Sequence, residues 1–198
     1  MNKNIALPLL CVLFIVILIY YFNKFSKSEA TYVKSDLDNR EYLVQNLEDK
    51  EEAAYILSIV RKRIYILRDY FEKNMDKYPE YKEYIKQFCQ RIKNMTLQEN
   101  APDGRYTSYT VNKGEEIALC LRSRKTGKLH DINIIMYVVL HELAHVACPE
   151  IDHTELFKKI FVFFLKVSFV LKIYKKADYH INPHEYCGIT INENLLKH

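Results

Sequence analysis

The sequence predicts an α+β domain behind an N-terminal transmembrane helix. Three observations predict it. An uncharged apolar run of eighteen residues opens the chain, from Ile5 to Phe22. Four later stretches carry apolar residues at helical spacing. Between the second and third of these lie two short strand-like runs joined by a loop containing glycine.

The N-terminal run reads IALPLLCVLFIVILIYYF. As a helix it would extend about 27 Å, close to the hydrocarbon core of a bilayer. Tyr20 and Tyr21 stand where interfacial aromatics belong, and Lys24 and Lys27 follow as a charged stop. The run exceeds the apolar core of a cleaved signal peptide, and Ser28-Glu29-Ala30 is the nearest approach to a cleavage site. The expectation is residues 1–22 as a transmembrane anchor, 23–40 as a polar tether and 41–198 as the folded domain. The lysines after the run place that domain on the cytosolic side of a single-pass membrane protein.

Composition narrows the classes. The 29 basic and 25 acidic residues leave a net charge of +4, spread over the chain with short basic clusters at Arg61–Arg63 and Arg122–Lys125. That balance reads as a solvated mixed surface and does not favour a nucleic-acid partner. Four glycines and five prolines exclude low-complexity and collagen-like architecture. The cysteines Cys11, Cys89, Cys120, Cys148 and Cys187 form no CxxC pair. They suggest neither a zinc ribbon nor a disulfide scaffold, and favour a reduced compartment.

The elements follow in order. Tyr42-Leu43-Val44 reads as a short strand. Asp49 to Glu52 reads as a capping box, and Ile56, Val60, Ile64, Leu67 and Phe71 form one helical face behind it. A second helix starts near Pro79, with Tyr81, Tyr84, Ile85, Phe88 and Ile92 inward. Pro102-Asp103-Gly104 is a turn signal. Tyr106–Val111 and Glu116–Leu121 then read as strands of a hairpin around Asn112-Lys113-Gly114-Glu115. Asp131 can cap an apolar helix that reaches Ala147 and stops before Pro149. Asp152 to Glu155 reads as another capping box, followed by a buried helix through Phe157, Ile160, Phe161, Phe164, Leu165, Ser168 and Leu171. Lys166 and Lys172 interrupt it, which argues against a second membrane span.

The chemistry lies in His141-Glu142-Leu143-Ala144-His145. Histidines four residues apart share one helix face, one turn above the other, and two imidazoles there can bind one Zn²⁺. Glu142 can reach a water in the open coordination position and take its proton, while the metal lowers that water's pKa towards about 7. Two histidines and a glutamate in so apolar a helix are costly without a partner. A catalytic zinc takes three protein ligands and a water. His153 is the best third candidate, because it follows the helix-breaking Pro149. Asp152, Glu155, His180, His184 and Glu185 are alternatives. Cys148 reads as a buried structural thiol. Tyr186, in Asn182-Pro183-His184-Glu185-Tyr186-Cys187-Gly188, is a candidate catalytic donor to a developing oxyanion. The competing reading there is a packed turn, with Gly188 present for backbone freedom.

The stretch from Ile132 to Ile189 resembles the SprT-like and WLM-type zinc metallopeptidases, and looks most like the small membrane-anchored forms of large DNA viruses of eukaryotes. The matching residues are His141 to His145, His153 with Phe157, and Tyr186-Cys187-Gly188. The hairpin from Ser108 to Arg122 looks similar as well. The resemblance implies a minimal zincin-like domain, with a small antiparallel sheet packed on the active-site helix. It implies His141, His145 and His153 as metal ligands and Glu142 as base. Seven residues separate His145 from His153 and none is glycine, which departs from the usual WLM pattern.

The expected function is a membrane-anchored zinc endopeptidase acting on a protein or peptide substrate, with residues 5–22 as its membrane contact. The alternatives are a protease of DNA-protein crosslinks of the Spartan type, and a non-enzymatic membrane or virion protein with a structural zinc.

Overall fold

The computed structural model describes residues 11–18, 29–101 and 107–192. The chain first forms a β-hairpin. Strands β1 (Ala30–Lys34) and β2 (Glu41–Gln45) pair antiparallel along their whole length, from Ala30 opposite Gln45 to Lys34 opposite Glu41. Helix α1 (Lys50–Asn74) follows and packs on this hairpin. Its face Ile56, Val60, Ile64, Leu67 and Phe71 is buried, as its spacing predicts. Asp49 sits at the N-cap position without capping. Its carboxylate instead accepts from Arg122 Nη1 at 2.5 Å. A long-range ion pair has displaced the local cap.

Pro79 opens a 3-10 turn, and helix α2 (Lys82–Arg91) follows it. Strand β3 (Thr96–Glu99) then runs parallel to β2. The chain crosses to the sheet's outer edge as β4 (Tyr109–Val111) and returns through Asn112 to Glu115 as β5 (Glu116–Leu119). Gly114 has φ +118, and a Cβ there would meet Val146 Cγ1 at 3.0 Å, so the turn can lie against the following helix only without a side chain. The sheet order is β1-β2-β3-β5-β4.

Helix α3 (Ile132–Ala147) and helix α4 (Glu155–Val170) pack on each other, and α3 also contacts α2, α1, β4 and β5. Twelve of the sixteen α3 residues are buried, which makes it the central helix of the core. A second small sheet, β6 (His184–Tyr186) with β7 (Ile189–Ile191), closes the described chain.

Several expectations need correction. The α+β class holds, but the sheet is mixed rather than antiparallel. The β2–β3 and β3–β5 pairs are parallel. Parallel neighbours require a crossover, and α1 with α2 supplies it between β2 and β3.

The transmembrane anchor and the single-pass localisation are not supported. Among the described residues no helix is long and apolar enough to cross a membrane. Of the predicted span, residues 11–18 are helical, which at about 1.5 Å per residue is about 12 Å against a hydrocarbon core of about 30 Å. Residues 5–10 and 19–22 lie outside the described residues, as do the turn at 102–104 and Tyr106. The membrane partner and cytosolic placement fall with the anchor. The segment read as a tether contributes β1, an edge strand of the main sheet. The cysteines also differ from expectation, since Cys120 and Cys187 form a disulfide that closes a separation of 67 residues.

Candidate metal centre

Local signals start and stop α3 where the chemistry needs it. Asp131 Oδ1 accepts from the Asn133 N–H at 2.8 Å and caps the helix. Cys148 is extended, as a residue before proline prefers to be, and the chain leaves the helix there. Arg91 Nη1 donates to the Val146 carbonyl at 2.6 Å, satisfying one of the helix's terminal acceptors.

The chain then turns back. Asp152 adopts φ +69, and Thr154, rather than Asp152, caps α4 by accepting from the Phe157 N–H. The cap falls two residues later than the sequence suggests, because the intervening turn carries His153 back to α3. His153 Nε2 lies 3.1 Å from His145 Nε2 and 3.1 Å from His141 Nε2. All three candidate ligand atoms lie within 4.8 Å of one another. Asp152, Glu155, His180, His184 and Glu185 do not join this group among the described residues. Cys148 is fully buried and free.

The donor set fits zinc. Nitrogens held at about 2.0–2.1 Å in a tetrahedron stand about 3.3–3.4 Å apart. Burial lowers the His141 imidazole to about 3 and the His145 imidazole to about 4, with further lowering from the neighbouring histidines. Both rings therefore stay neutral at pH 7 and keep a lone pair for a metal. The α4 phenylalanines hold them in place. His145 stacks on Phe157 at 4.1 Å, and His141 meets Phe157 at 5.0 Å and Phe161 at 5.3 Å edge-on.

Glu142 is buried, and burial raises its carboxyl to about 7. Thr110 Oγ1 on β4 donates to Glu142 Oε2 at 3.0 Å and works in the opposite direction, favouring the charged form. Tyr186 is fully buried, and its hydroxyl lies 2.8 Å from Ser108 Oγ. Ser108 Oγ also accepts from the Cys120 N–H at 3.2 Å. Burial raises the Tyr186 phenol well above its usual value, so the O–H stays protonated. Its ring stacks on His130 at 5.0 Å, and His130 Nε2 accepts from the Cys187 N–H at 3.2 Å. Cys187 and Gly188 follow with φ +51 and φ +86.

These groups meet at one cavity of about 340 Å³. His141, Glu142, His153 and Tyr186 line it together with apolar walls that include Val138, Phe161 and Ile189. Sequence reasoning did not find Thr110, Ser108, His130 or the disulfide. Alternation along Ser108-Tyr109-Thr110 puts Ser108 and Thr110 on one face of β4, a signal that gains meaning only once the strand is known to lie on α3.

Comparison with known proteins follows the same residues. The WLM domain model matches residues 89–160, from α2 to the first turns of α4. An uncharacterized protein of Acanthamoeba polyphaga mimivirus is 63% identical over 197 residues, covering 100% of both chains. An uncharacterized protein of Invertebrate iridescent virus 6 is 24% identical over 164 residues, 79% of this chain and 87% of the relative. The crystal structure of Wss1 from Saccharomyces cerevisiae aligns with a TM-score of 0.48 at 22% identity, over 65% of this chain and 87% of that one. The chain belongs to one family with its mimivirus relative, and its residues 89–160 match the WLM domain.

Proposed function

We propose that this chain is a zinc-dependent endopeptidase. The convergence of three imidazole nitrogens beside the buried carboxylate of Glu142 carries the reading. His141, His145 and His153 would hold the metal, and a zinc with three protein ligands would take a water as its fourth. When bound, zinc lowers the pKa of a water towards about 7 and polarises the substrate carbonyl.

The chain's own residues do the rest. Glu142 takes the proton from water as general base and returns it to the leaving amine. Its raised pKa suits both roles near neutrality. Thr110 fixes one carboxylate oxygen and leaves the other for the proton. Tyr186 stays neutral and can donate to the oxyanion that develops on the carbonyl oxygen. Phe157 and Phe161 shield the imidazoles from bulk water. Support for peptide hydrolysis comes from this arrangement and from the WLM match.

The test is zinc content with casein cleavage, for the chain and for Glu142→Gln, each with and without DNA. The expected result is about one zinc per chain in both proteins and cleavage by the unsubstituted chain alone. Zinc in both with cleavage by neither would point to a structural ion. Absence of zinc from both would remove the proposal.

A further inference from the structure

A second feature of the fold is independent of the histidine centre. The main sheet has one weak seam. β2 pairs with β1 along its full length, and β3 with β5 from Thr96 opposite Glu116 to Glu99 opposite Leu119. Between β2 and β3 the only registered pair is Leu43 opposite Gln98. Before that pair a cleft of about 720 Å³ is lined by residues of both strands. Glu41 and Tyr42 form one wall, Thr96 and Leu97 the other, and α1 reaches in from behind with Arg61 and Tyr65.

The lining is strongly one-sided in charge. Lys34, Arg40, Arg61 and Lys93 face the cleft, against Glu41 as the single lining carboxylate. None of these four cations makes an ion pair among the described residues. Arg61 is nonetheless held in a fixed pose. Its Nη1 donates to the Met95 carbonyl at 3.0 Å and its Nη2 to Tyr65 Oη at 3.1 Å. The Tyr65 ring lies under the guanidinium at 5.1 Å, and Tyr65 Oη donates to the Lys93 carbonyl. A preorganised arginine with no carboxylate, ringed by exposed cations in a concave site, is arranged for an anion.

We propose that this cleft is a binding site for a phosphate-bearing polyanion. Four cations against one lining carboxylate exceed what a single ligand carboxylate would use, and the volume suits a ligand carrying several phosphate oxygens. The site is separate from the metal centre. Its seam lies between β2 and β3, whereas the Glu142 contact is made by β4 beyond β5. No residue lines both cavities. The basic cluster at Arg61–Arg63, read from sequence as ordinary surface, thus contributes Arg61 to a defined site.

The test uses the full chain at low ionic strength, with inorganic pyrophosphate followed by calorimetry and a labelled oligothymidylate followed by anisotropy. The Lys34→Glu/Arg40→Glu variant reverses two exposed charges on one side of the cleft, and Lys93→Glu reverses one on the other. Lys86→Glu/Lys176→Glu makes the same net change at exposed residues away from it. The expected result is binding that weakens at least about tenfold in each cleft variant and little in the control, with the salt slope reduced by about one per lost contact. Displacement of the oligonucleotide by pyrophosphate would identify the phosphate group alone as the ligand. Oligonucleotide binding that pyrophosphate cannot displace, yet the cleft variants lose, would identify the extended strand. Equal loss in the control would reduce the effect to net charge and overturn the proposal. Failure of both anions to bind would do the same. Retention of binding by His141→Ala is expected, so a failed metal centre does not decide this site.

Discussion

Thr110 Oγ1 stands 3.0 Å from Glu142 Oε2, so the edge strand of the sheet grips the carboxylate of the central helix. A hydrogen bond to a charged group contributes about 1.5–3 kcal/mol, and removing it should cost turnover roughly 10- to 100-fold. Thr110→Val is expected to lower kcat with little change in KM or zinc content. Thr110→Ser keeps the hydroxyl and should restore most of the rate. Equal loss in both variants would show that the hydrogen bond to the carboxylate is not what sustains the rate.

The pH profile should carry the same carboxylate. Burial raises Glu142 to about 7, and the general base must be ionised to act. The kcat/KM of the zinc-loaded chain should therefore fall on the acid side, with its midpoint below about 7 because the metal's charge favours the carboxylate. Thr110 favours the ionised form, so Thr110→Val should move this limb to higher pH. A limb that stays in place in that variant would remove the hydrogen bond from the account.

How much of this was legible in the sequence depends on the range of each interaction. The span of α3 was legible, because Asp131, the apolar run and Pro149 act within a few residues of the helix they bound. The buried face of α1 was legible from periodicity for the same reason. Strand direction was not, because alternation marks a face and says nothing about which neighbour the strand meets. The contact of Thr110 with Glu142 spans 32 residues of chain, and that of Cys120 with Cys187 spans 67. Nothing local announces either. The apolar run at the N-terminus was misleading for another reason. Hydropathy counts apolar residues, but crossing a bilayer requires a helix of sufficient length, and none is found among the described residues.

The disulfide gives a third prediction. Cys120 and Cys187 tie the end of β5 to the residue after Tyr186, with Cα atoms 6.3 Å apart. Closing a loop of 67 residues should stabilise the fold by about 4 kcal/mol through the unfolded chain. Cys120→Ser/Cys187→Ser should lower the melting temperature. It should also lower kcat under the role proposed for Tyr186, because the bridge anchors the neighbouring Cys187. Zinc content should be unaffected, since His141, His145 and His153 lie on α3 and the turn before α4. Zinc loss in step with stability would show that the bridge supports the whole domain rather than the hairpin.

Tyr186 gives a fourth. Its phenol is kept neutral and hydrogen-bonded to Ser108 Oγ, which fixes the position of the hydroxyl. Tyr186→Phe should retain zinc and KM and lose about 100- to 1,000-fold in kcat, the scale expected for one oxyanion donor. Unchanged turnover would leave Tyr186 as a packed core residue on His130.

The last prediction concerns the zinc-free chain and follows from the sign of three titrations. His141 and His145 are lowered from 6.5 to about 3 and about 4 in the folded state. The unfolded chain therefore binds more protons below 6.5, and these two groups contribute stability above that pH that is lost as pH falls towards their folded values. Glu142 is raised from 4.5 to about 7, so the folded chain binds one more proton between those values and loses stability as pH rises through them. Between 4.5 and 6.5 two histidines oppose one carboxyl, and the net effect is stability rising with pH. At 6.5 the unfolded histidines are still about half protonated, and together they match the carboxyl only near pH 7, where stability levels off. Chemical denaturation of the zinc-free chain should show stability rising from about pH 4.5 to a plateau near pH 7, and His141→Ala should flatten that rise. Glu142→Gln should make the rise steeper and leave the plateau in place. A profile that none of these substitutions alters would mean that other groups set the acid stability of the domain.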